Sequence, residues 1–351
     1  MTQNVIHNVN FQTNIVHVKE VKERDRARAR HLVAGRHAHG PNARKQNRHG
    51  GSAAIVNALS SISVMNNGVT YIASCGVGSP ATQCNLLIDT GSSNTWVKKE
   101  VYQPTSTSKV LHAAGQSIGY GSGSCSGTEY TDQFTLSDEL VIQNQSIGVA
   151  DKADQMDGID GILGIGPVDL TQNTMAADAS NPKGIPTVMD NLLSQGGIQT
   201  ECIGISYRPS TDVNAPDGTL SFGGADSSMY TGELNYVPIT SQSPASMYWG
   251  IDQSIMYGNT QIMAKSAGIS DTGTTLIMIP QDAFDAYREK TGAKLDQSTG
   301  LLTVTQAQYE KMESMYFCVG NEKYELTPNA QIWPRSMNST IGAPDGTLCL
   351  V

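Results

Sequence analysis

The sequence predicts an all-β fold of two lobes, and three observations carry that expectation. The stretch Leu86-Leu87-Ile88-Asp89-Thr90-Gly91-Ser92-Ser93 returns in outline as Gly268-Ile269-Ser270-Asp271-Thr272-Gly273-Thr274-Thr275, its aspartate 182 residues further on. An apolar approach, an Asp-Thr-Gly and a following hydroxyl residue, met twice at so long a period, describe a duplicated unit spread over two halves. A chain of 351 residues suits two domains of roughly 150 residues each. Glycine supplies 35 residues and charged residues only 16%, Ser and Thr are plentiful, and helical periodicity is scarce. That composition suits many short strands and turns.

The two aspartates point to a chemistry. A carboxylate at the end of an apolar strand is driven inward, where it is costly unless its oxygens receive hydrogen bonds. The neighbouring glycines, Gly91 and Gly273, allow close backbone approach, so that N–H groups can donate. Ser92 and Thr274, each three residues after its aspartate, add hydroxyl donors. Thr90 and Thr272 are placed to tie the two loops together from behind. Two carboxyls facing each other cannot easily both ionise, so one keeps a proton. One acid and one base around a shared water can hydrolyse an amide with neither a metal nor a covalent intermediate.

The chain resembles the pepsin-like aspartic protease family, and within it the polyporopepsin-type fungal endopeptidases. The resemblance rests on Gly76-Val77-Gly78-Ser79-Pro80-Ala81, Asp89-Thr90-Gly91-Ser92-Ser93-Asn94-Thr95-Trp96, Tyr120-Gly121-Ser122-Gly123, Gly161-Ile162-Leu163-Gly164-Ile165-Gly166, Tyr248-Trp249-Gly250-Ile251 and Asp271-Thr272-Gly273-Thr274-Thr275. These stand in family order from about Gly68 onward. The resemblance implies a bilobal fold of two pseudo-symmetric, barrel-like lobes with a cleft between them. It implies an aspartic endopeptidase, a hydrolase with an acid optimum, made as a zymogen and secreted or vacuolar. Asp89 and Asp271 would be catalytic. Tyr120, Gly121 and Ser122 would form a flap over an extended peptide substrate. Ile162-Leu163-Gly164 would cross behind the first aspartate loop and lock it. No cofactor and no metal are implied, and the protein is expected to be a monomer.

Charge is divided unevenly. The formal net charge is −9, yet residues 1–50 carry +7 and the remainder −16. An acidic body argues against nucleic acid as a partner, and a basic leader is a natural electrostatic partner for that body. By resemblance the leader is a prosegment, an intramolecular inhibitor whose cations pair with cleft carboxylates until acid protonates them. Its removal is expected between about Arg44 and Ser60. The expected divisions are a leader over 1–60, a first lobe over 61–232 and a second over 233–351. Family members continue beyond the point matching Val351 with a second crossing strand, so the second lobe is expected to be truncated. An inactive fragment or a non-catalytic peptide-binding protein is the alternative reading. Residues 1–10 lack the basic start and apolar core of a signal peptide, and no apolar run is long enough to span a membrane.

Taken in order, Val9 with Phe11 and Val16 with Val18 hint at strand alternation, and the basic, Ala-containing residues 22–31 can form a helix. Six of the seven histidines (His7, His17, His31, His37, His39, His49) lie in the leader, with no cysteine or carboxylate set to complete a metal site. Residues 68–97 read as strand, turn, strand and aspartate loop, with Trp96 in the wall near Asp89. Residues 118–135 read as a hairpin whose glycine-rich tip lacks the Gly-Lys-Ser/Thr of a phosphate loop. The acidic run at 157–166 fails the spacing of a calcium loop. Residues 185–196 read as a helix closed by Gly196. Strands are expected at 220–224 and 234–238, a helix over 282–290, and strands again through 301–333. The cysteines are Cys75, Cys84, Cys125, Cys202, Cys318 and Cys349. They contain no Cys-x-x-Cys; the even count would allow disulfides in a secreted protein, but several are read as small buried apolar residues, with Cys75 and Cys84 placed to face each other across a hairpin. Asn144 and Asn338 begin glycosylation triplets.

Overall fold

The computed structural model describes residues 21–34, 60–66, 70–120, 123–154, 156, 158–172, 174, 184–208 and 216–351. The expected strand signals at Val9 with Phe11 and Val16 with Val18, the cleavage region from Arg44 up to Ser60, and the flap residues Gly121 and Ser122 lie outside the described residues, as do all the leader histidines but His31.

The first lobe is one sheet of ten strands: β1 (Ser60–Asn66), β2 (Tyr71–Val77), β3 (Thr82–Asp89), β4 (Trp96–Lys98), β5 (Lys109–Gly119), β6 (Ser124–Ser137), β7 (Leu140–Asp154), β8 (Gly161–Gly164), β9 (Ile203–Tyr207) and β10 (Pro216–Phe222). The spatial order is β5-β6-β7-β4-β8-β3-β2-β1-β10-β9, and a further β2–β6 pairing at Gly76↔Thr135 and Val77↔Phe134 closes the sheet on itself. Closure explains why β3 ends in a continuous apolar run and not in alternation. Leu86 and Ile88 enter the cluster around Phe134, Leu136 and Phe222, while Leu87 enters a second cluster with Trp96, Ile118 and Tyr120. A strand buried on both faces has no polar side to show.

The turn after β2 brings Cys75 opposite Cys84 in the β2–β3 ladder. Both are free and buried, as are Cys125 and Cys349, while Cys202 and Cys318 are free and half-buried. The expected helix near 185 starts at Val188 and runs to Ser194, because Thr187 caps it in a reciprocal box with Asp190. Gly196, at φ 78°, follows its end.

The second lobe holds a sheet in the order β12-β11-β15-β16, from β11 (Gly250–Tyr257), β12 (Thr260–Ile269), β15 (Met315–Val319) and β16 (Glu322–Leu326). A smaller sheet joins β13 (Lys294–Leu295), β14 (Leu302–Val304) and β17 (Leu348–Cys349). The helix after the second aspartate spans Gln281–Thr291 and closes at Gly292, at φ 67°. Its Ala283 and Tyr287 pack into the core with Ile255, Met263 and Met315. The sequence reading of 301–333 as strands missed a short helix, Gln306–Tyr309, which Thr305 and Gln308 cap reciprocally.

The strand expected at 234–238 does not form. That stretch pairs with no described strand; Pro238 has no N–H to give, Tyr236 is 80% exposed, and the Asn235 side chain bonds Val319 O and Tyr324 Oη. Asn338 is wholly buried and its amide donates to Pro344 O and Thr347 O, so it is a structural amide and no glycan acceptor in the folded lobe.

One carboxyl in the first-lobe sheet has no share in the site described below. Glu129 in β6 is 1% exposed; Ser146 donates to its Oε1, and its Oε2 has no hydrogen-bond partner among the described residues. Burial, opposed by the Ser146 hydrogen bond, pushes its pKa up to about 7. A raised carboxyl pKa leaves the fold unpenalised below the ordinary value and destabilises it as pH rises towards the raised one, here by about 3 kcal/mol in full. The chain should therefore lose thermal stability between pH 5 and pH 7.5, and Glu129→Gln should flatten that loss in melting curves taken across the same range.

Candidate active site

The first aspartate loop is locked from behind. β8 runs parallel to β3 with Ile88 opposite Leu163 and Asp89 opposite Gly164, and Ile165 N and Gly166 N donate to Asp89 O and Ser92 O. Gly164 is required there, since a Cβ would sit 2.5 Å from the Ser93 carbonyl carbon and 2.6 Å from Asn94 O. The expectation for Ile162-Leu163-Gly164 therefore holds.

Asp89 ends β3 and is wholly buried; Asp271 lies just past β12 with its side chain 5% exposed. Each carboxylate has the same pair of local donors. Gly91 N donates to Asp89 Oδ1 at 2.9 Å and the Ser92 hydroxyl to Oδ2. Gly273 N donates to Asp271 Oδ1 at 3.1 Å and the Thr274 hydroxyl to Oδ2. The repeat seen in the sequence is thus a repeat of hydrogen bonds.

The loops are braced across the lobes by their threonines. Thr90 N donates to Thr272 Oγ1 at 3.0 Å and Thr272 N to Thr90 Oγ1 at 2.9 Å. The same hydroxyls donate onward to Ser270 O and Ile88 O, both at 2.8 Å. The approach is so close that a Cβ on Gly91 would stand 2.5 Å from Asp271 Oδ1, and one on Gly273 would stand 2.6 Å from Asp89 Oδ1. Trp249 adds a further tie through its indole N–H to Ile165 O.

A residue not singled out in the sequence lies between the carboxylates. Helix α1 (Val21–Ala34) occupies the cleft, and its Arg28 Nη2 touches Asp89 Oδ1 at 2.6 Å and Asp271 Oδ1 at 2.8 Å, with Nε on Asp271 Oδ2 at 2.7 Å. One nitrogen within hydrogen-bond reach of both inner oxygens marks a position that a single water could bridge. The signal for this helix was its buried positions, Val21, Asp25, Arg28 and Leu32, which fall on one face at intervals of three and four. The helix expected over residues 22–31 thus forms, but two of its four buried positions are charged, so hydrophobic periodicity did not mark the face that is buried.

The helix ends are apolar anchors. Val21 packs with Leu276, Trp333 and Met337, and Leu32 with Leu170 and Tyr248, whose hydroxyl donates to Leu32 O. Between Leu32, Arg28, Ser92 and Tyr120 the described residues leave a cavity of about 20 Å³, room for roughly one water. Tyr120 is buried beside the site and its ring lies tilted against Trp96, with centroids 6.4 Å apart.

Burial is the largest influence on the Asp89 carboxyl, and it holds the group above the usual range against the pull of Arg28. Asp271 is also pushed up by burial, but the Arg28 charge and hydrogen bonds, with Thr274 and Gly273, outweigh this and hold it below the usual range. Burial would lower the Arg28 pKa; Asp89 and Asp271 overcome it, and the guanidinium is raised still further. Among the described residues no cluster of His, Cys, Asp and Glu is placed to hold a metal ion.

Comparison with known proteins agrees with this geometry. The family model for eukaryotic aspartyl proteases matches residues 70–342. The chain is 51% identical over 296 residues to polyporopepsin of Irpex lacteus, covering 84% of this chain and 86% of the relative. It is 31% identical over 300 residues to rhizopuspepsin-1 of Rhizopus niveus, covering 81% and 74%. The crystal structure of the aspartic proteinase from Irpex lacteus superposes with a TM-score of 0.81 at 52% identity, covering 84% of this chain and 86% of that one.

The threonine brace is open to direct test. Thr90→Val removes a hydroxyl that serves Thr272 N–H and Ser270 O, leaving buried groups unpaired at about 1–3 kcal/mol each. The variant should melt several degrees below the wild type in calorimetry, and an unchanged melting point would show that the brace carries no load.

Proposed function

The chain belongs to the eukaryotic aspartyl protease family and is a pepsin-like, two-lobed aspartic endopeptidase, and from that premise we propose that Asp89 and Asp271 are its catalytic pair. Peptide substrates bind in the cleft between the lobes. The observation that carries the assignment is Arg28 Nη2 within 2.8 Å of an inner oxygen of each carboxyl. With the leader gone, a water takes that position. One carboxylate removes a proton from the water as its oxygen attacks the scissile carbonyl carbon. The other carboxyl, protonated, donates to the carbonyl oxygen. The tetrahedral intermediate then collapses, the C–N bond breaks, and the leaving nitrogen receives a proton from the pair. Thr90 and Thr272 hold the loops together, Gly91, Ser92, Gly273 and Thr274 donate to the carboxyls, and Tyr120 with Gly121 and Ser122 covers the substrate. The mechanism calls on no cofactor.

The leader is the intramolecular inhibitor in this reading. Support comes from α1, whose Arg28 holds the position of the attacking water and whose Val21 and Leu32 fill the cleft on either side. Because the docked Asp271 carboxyl is held below its ordinary value of 3.8, docking gains stability above that value and loses it as pH falls through the lowered one. Arg28 does not titrate in this range, so the lowered Asp271 carboxyl drives the release in acid, and the raised Asp89 carboxyl works against it. We place the leader at 1–60 and the lobes at 61–232 and 233–351, with the chain acting as a monomer and as a secreted or vacuolar enzyme. No helix among the described residues is long and apolar enough to cross a membrane.

Asp89→Asn and Asp271→Asn should each lower kcat for casein or haemoglobin at acid pH by about 10²–10⁴-fold, the usual share of a positioned acid or base. Retention of wild-type kcat by either variant would overturn the assignment. Arg28→Gln should remove the lag that the wild-type chain shows when it is shifted to pH 5 without a stronger acid step. An equal lag in both would mean that the leader does not inhibit through Arg28.

A further inference from the structure

Two triplets of the glycosylation pattern stand in the sequence, Asn144-Gln145-Ser146 and Asn338-Ser339-Thr340, and the fold treats them in opposite ways. Asn338 is wholly buried, and its amide nitrogen donates to two carbonyl oxygens. Asn144 is exposed, and among the described residues its side chain makes no hydrogen bond.

A bulge in β7 produces that exposure. Leu140 is 1% exposed and Ile142 is wholly buried, so strict alternation would turn Asn144 to the same inner face. The β6–β7 ladder slips there. Asp132 faces Gln145 and Phe134 faces Ile142, which leaves Gln133 alone opposite both Gln143 and Asn144. Asn144 takes φ 51°, the one positive φ outside glycine among the described residues, and asparagine is among the few residue types that adopt it readily. The alternation is thereby reset: Gln143 and Asn144 both face water, while Gln145 and Ser146 are both buried.

The residues on either side are fixed. Gln143 N donates to Gln195 Oε1 and Gln195 Nε2 to Gln143 O, each at 2.9 Å. Gln145 accepts from Asn191 Nδ2 at 2.9 Å and donates to Ser146 O and Pro186 O at 3.1 and 3.4 Å. The bulge thus holds the Asn144 side chain outward, on the side of the first lobe that carries the helix Val188–Ser194. A bulky polar group on its amide displaces no hydrogen bond among the described residues. On Asn338 the same group would break two, inside a closed core.

We infer that Asn144 carries an N-linked oligosaccharide, and that the bulge at 143–144 lets the first lobe close with that group attached. In the step, Asn144 Nδ2 bonds to the anomeric carbon of an oligosaccharide borne on a lipid pyrophosphate. The C–O bond to the pyrophosphate breaks, the lipid pyrophosphate leaves with the electron pair, and the amide gives up one proton. Transfer comes before folding, because Ser146, the third residue of the triplet, is buried in the folded lobe with its hydroxyl donating to Glu129 Oε1. The inference goes beyond the hydrolytic reading and rests only on the passage of the chain through the secretory route.

The test supplies that passage. The full chain is led into the secretory route of a fungal host by the host's own signal peptide and collected from the medium. It is treated with an amidase that releases N-linked glycans and leaves aspartate where a glycosylated asparagine stood, and its peptides are mapped by mass spectrometry against an untreated blank. Conversion should appear at Asn144 and not at Asn338. Asn144→Asp, which keeps a residue type suited to left-handed backbone, should migrate with the treated wild type and cleave a reporter peptide with the same kcat. An unconverted Asn144 in the secreted wild type would overturn the inference, as would conversion at Asn338. A product converted at Asn144 that cleaves no peptide would sustain the site and count against the endopeptidase.

Discussion

The whole arrangement depends on holding two carboxylates face to face where water is nearly absent. Two like charges at such a distance repel, and burial raises the cost of each. Nothing in the carboxyls favours the approach, so the surrounding backbone must impose it. The threonine brace does this with four hydrogen bonds that cross the lobes, in which each hydroxyl both accepts from an N–H and donates to a carbonyl. Behind one side of the brace, β8 fixes the backbone of β3 residue by residue up to Asp89. The lobes can therefore carry independent cores of different sheet order and still meet in one defined geometry.

The glycines follow from the same constraint. Gly91 and Gly273 are small because each faces the other lobe's aspartate, and Gly164 is small because β8 passes against the loop at Ser93 and Asn94. None of these three is needed for an unusual φ; each is needed for proximity. That distinguishes them from Gly292, whose left-handed backbone ends a helix. The sequence offered both kinds in the same letter, and only the flanking pattern of Asp-Thr and of apolar residues separated them.

Much of the site was legible for that reason. A twice-used local motif carries its own hydrogen bonds, so Asp89 with Gly91 and Ser92, and Asp271 with Gly273 and Thr274, could be assigned from spacing alone. The hairpin at 118–135 could be read from its own run of neighbours, whereas the place of Ile162-Leu163-Gly164 behind the first aspartate loop came from the family resemblance. What was not legible depended on distant partners. Arg28 is one of ten basic residues in the leader, and nothing local marks it as the one that meets residues 61 and 243 positions away. Asp25 stands in the same basic run, and nothing local marks it for burial. The stretch 234–238 had the composition of a strand, but strands need a neighbour, and its side chains found Val319 and Tyr324 by other means.

The leader helix shows why its hold must be polar at the centre. Val21 and Leu32, at its two ends, each contribute about 1.5–3 kcal/mol through burial, and burial of this kind does not change with pH. A helix held only by such anchors would stay as firmly in acid as at neutrality. Ion pairs in the middle alter the balance, because their strength depends on the charge of both partners. An arginine keeps its charge throughout, which transfers all the pH dependence to the carboxyls. Under the proposed function, the same two carboxyls share one proton when they act. Under the proposed function, the proton that Asp271 takes up in acid is the one that weakens its bond to Arg28, and release of the helix and readiness of the pair are linked through that carboxyl.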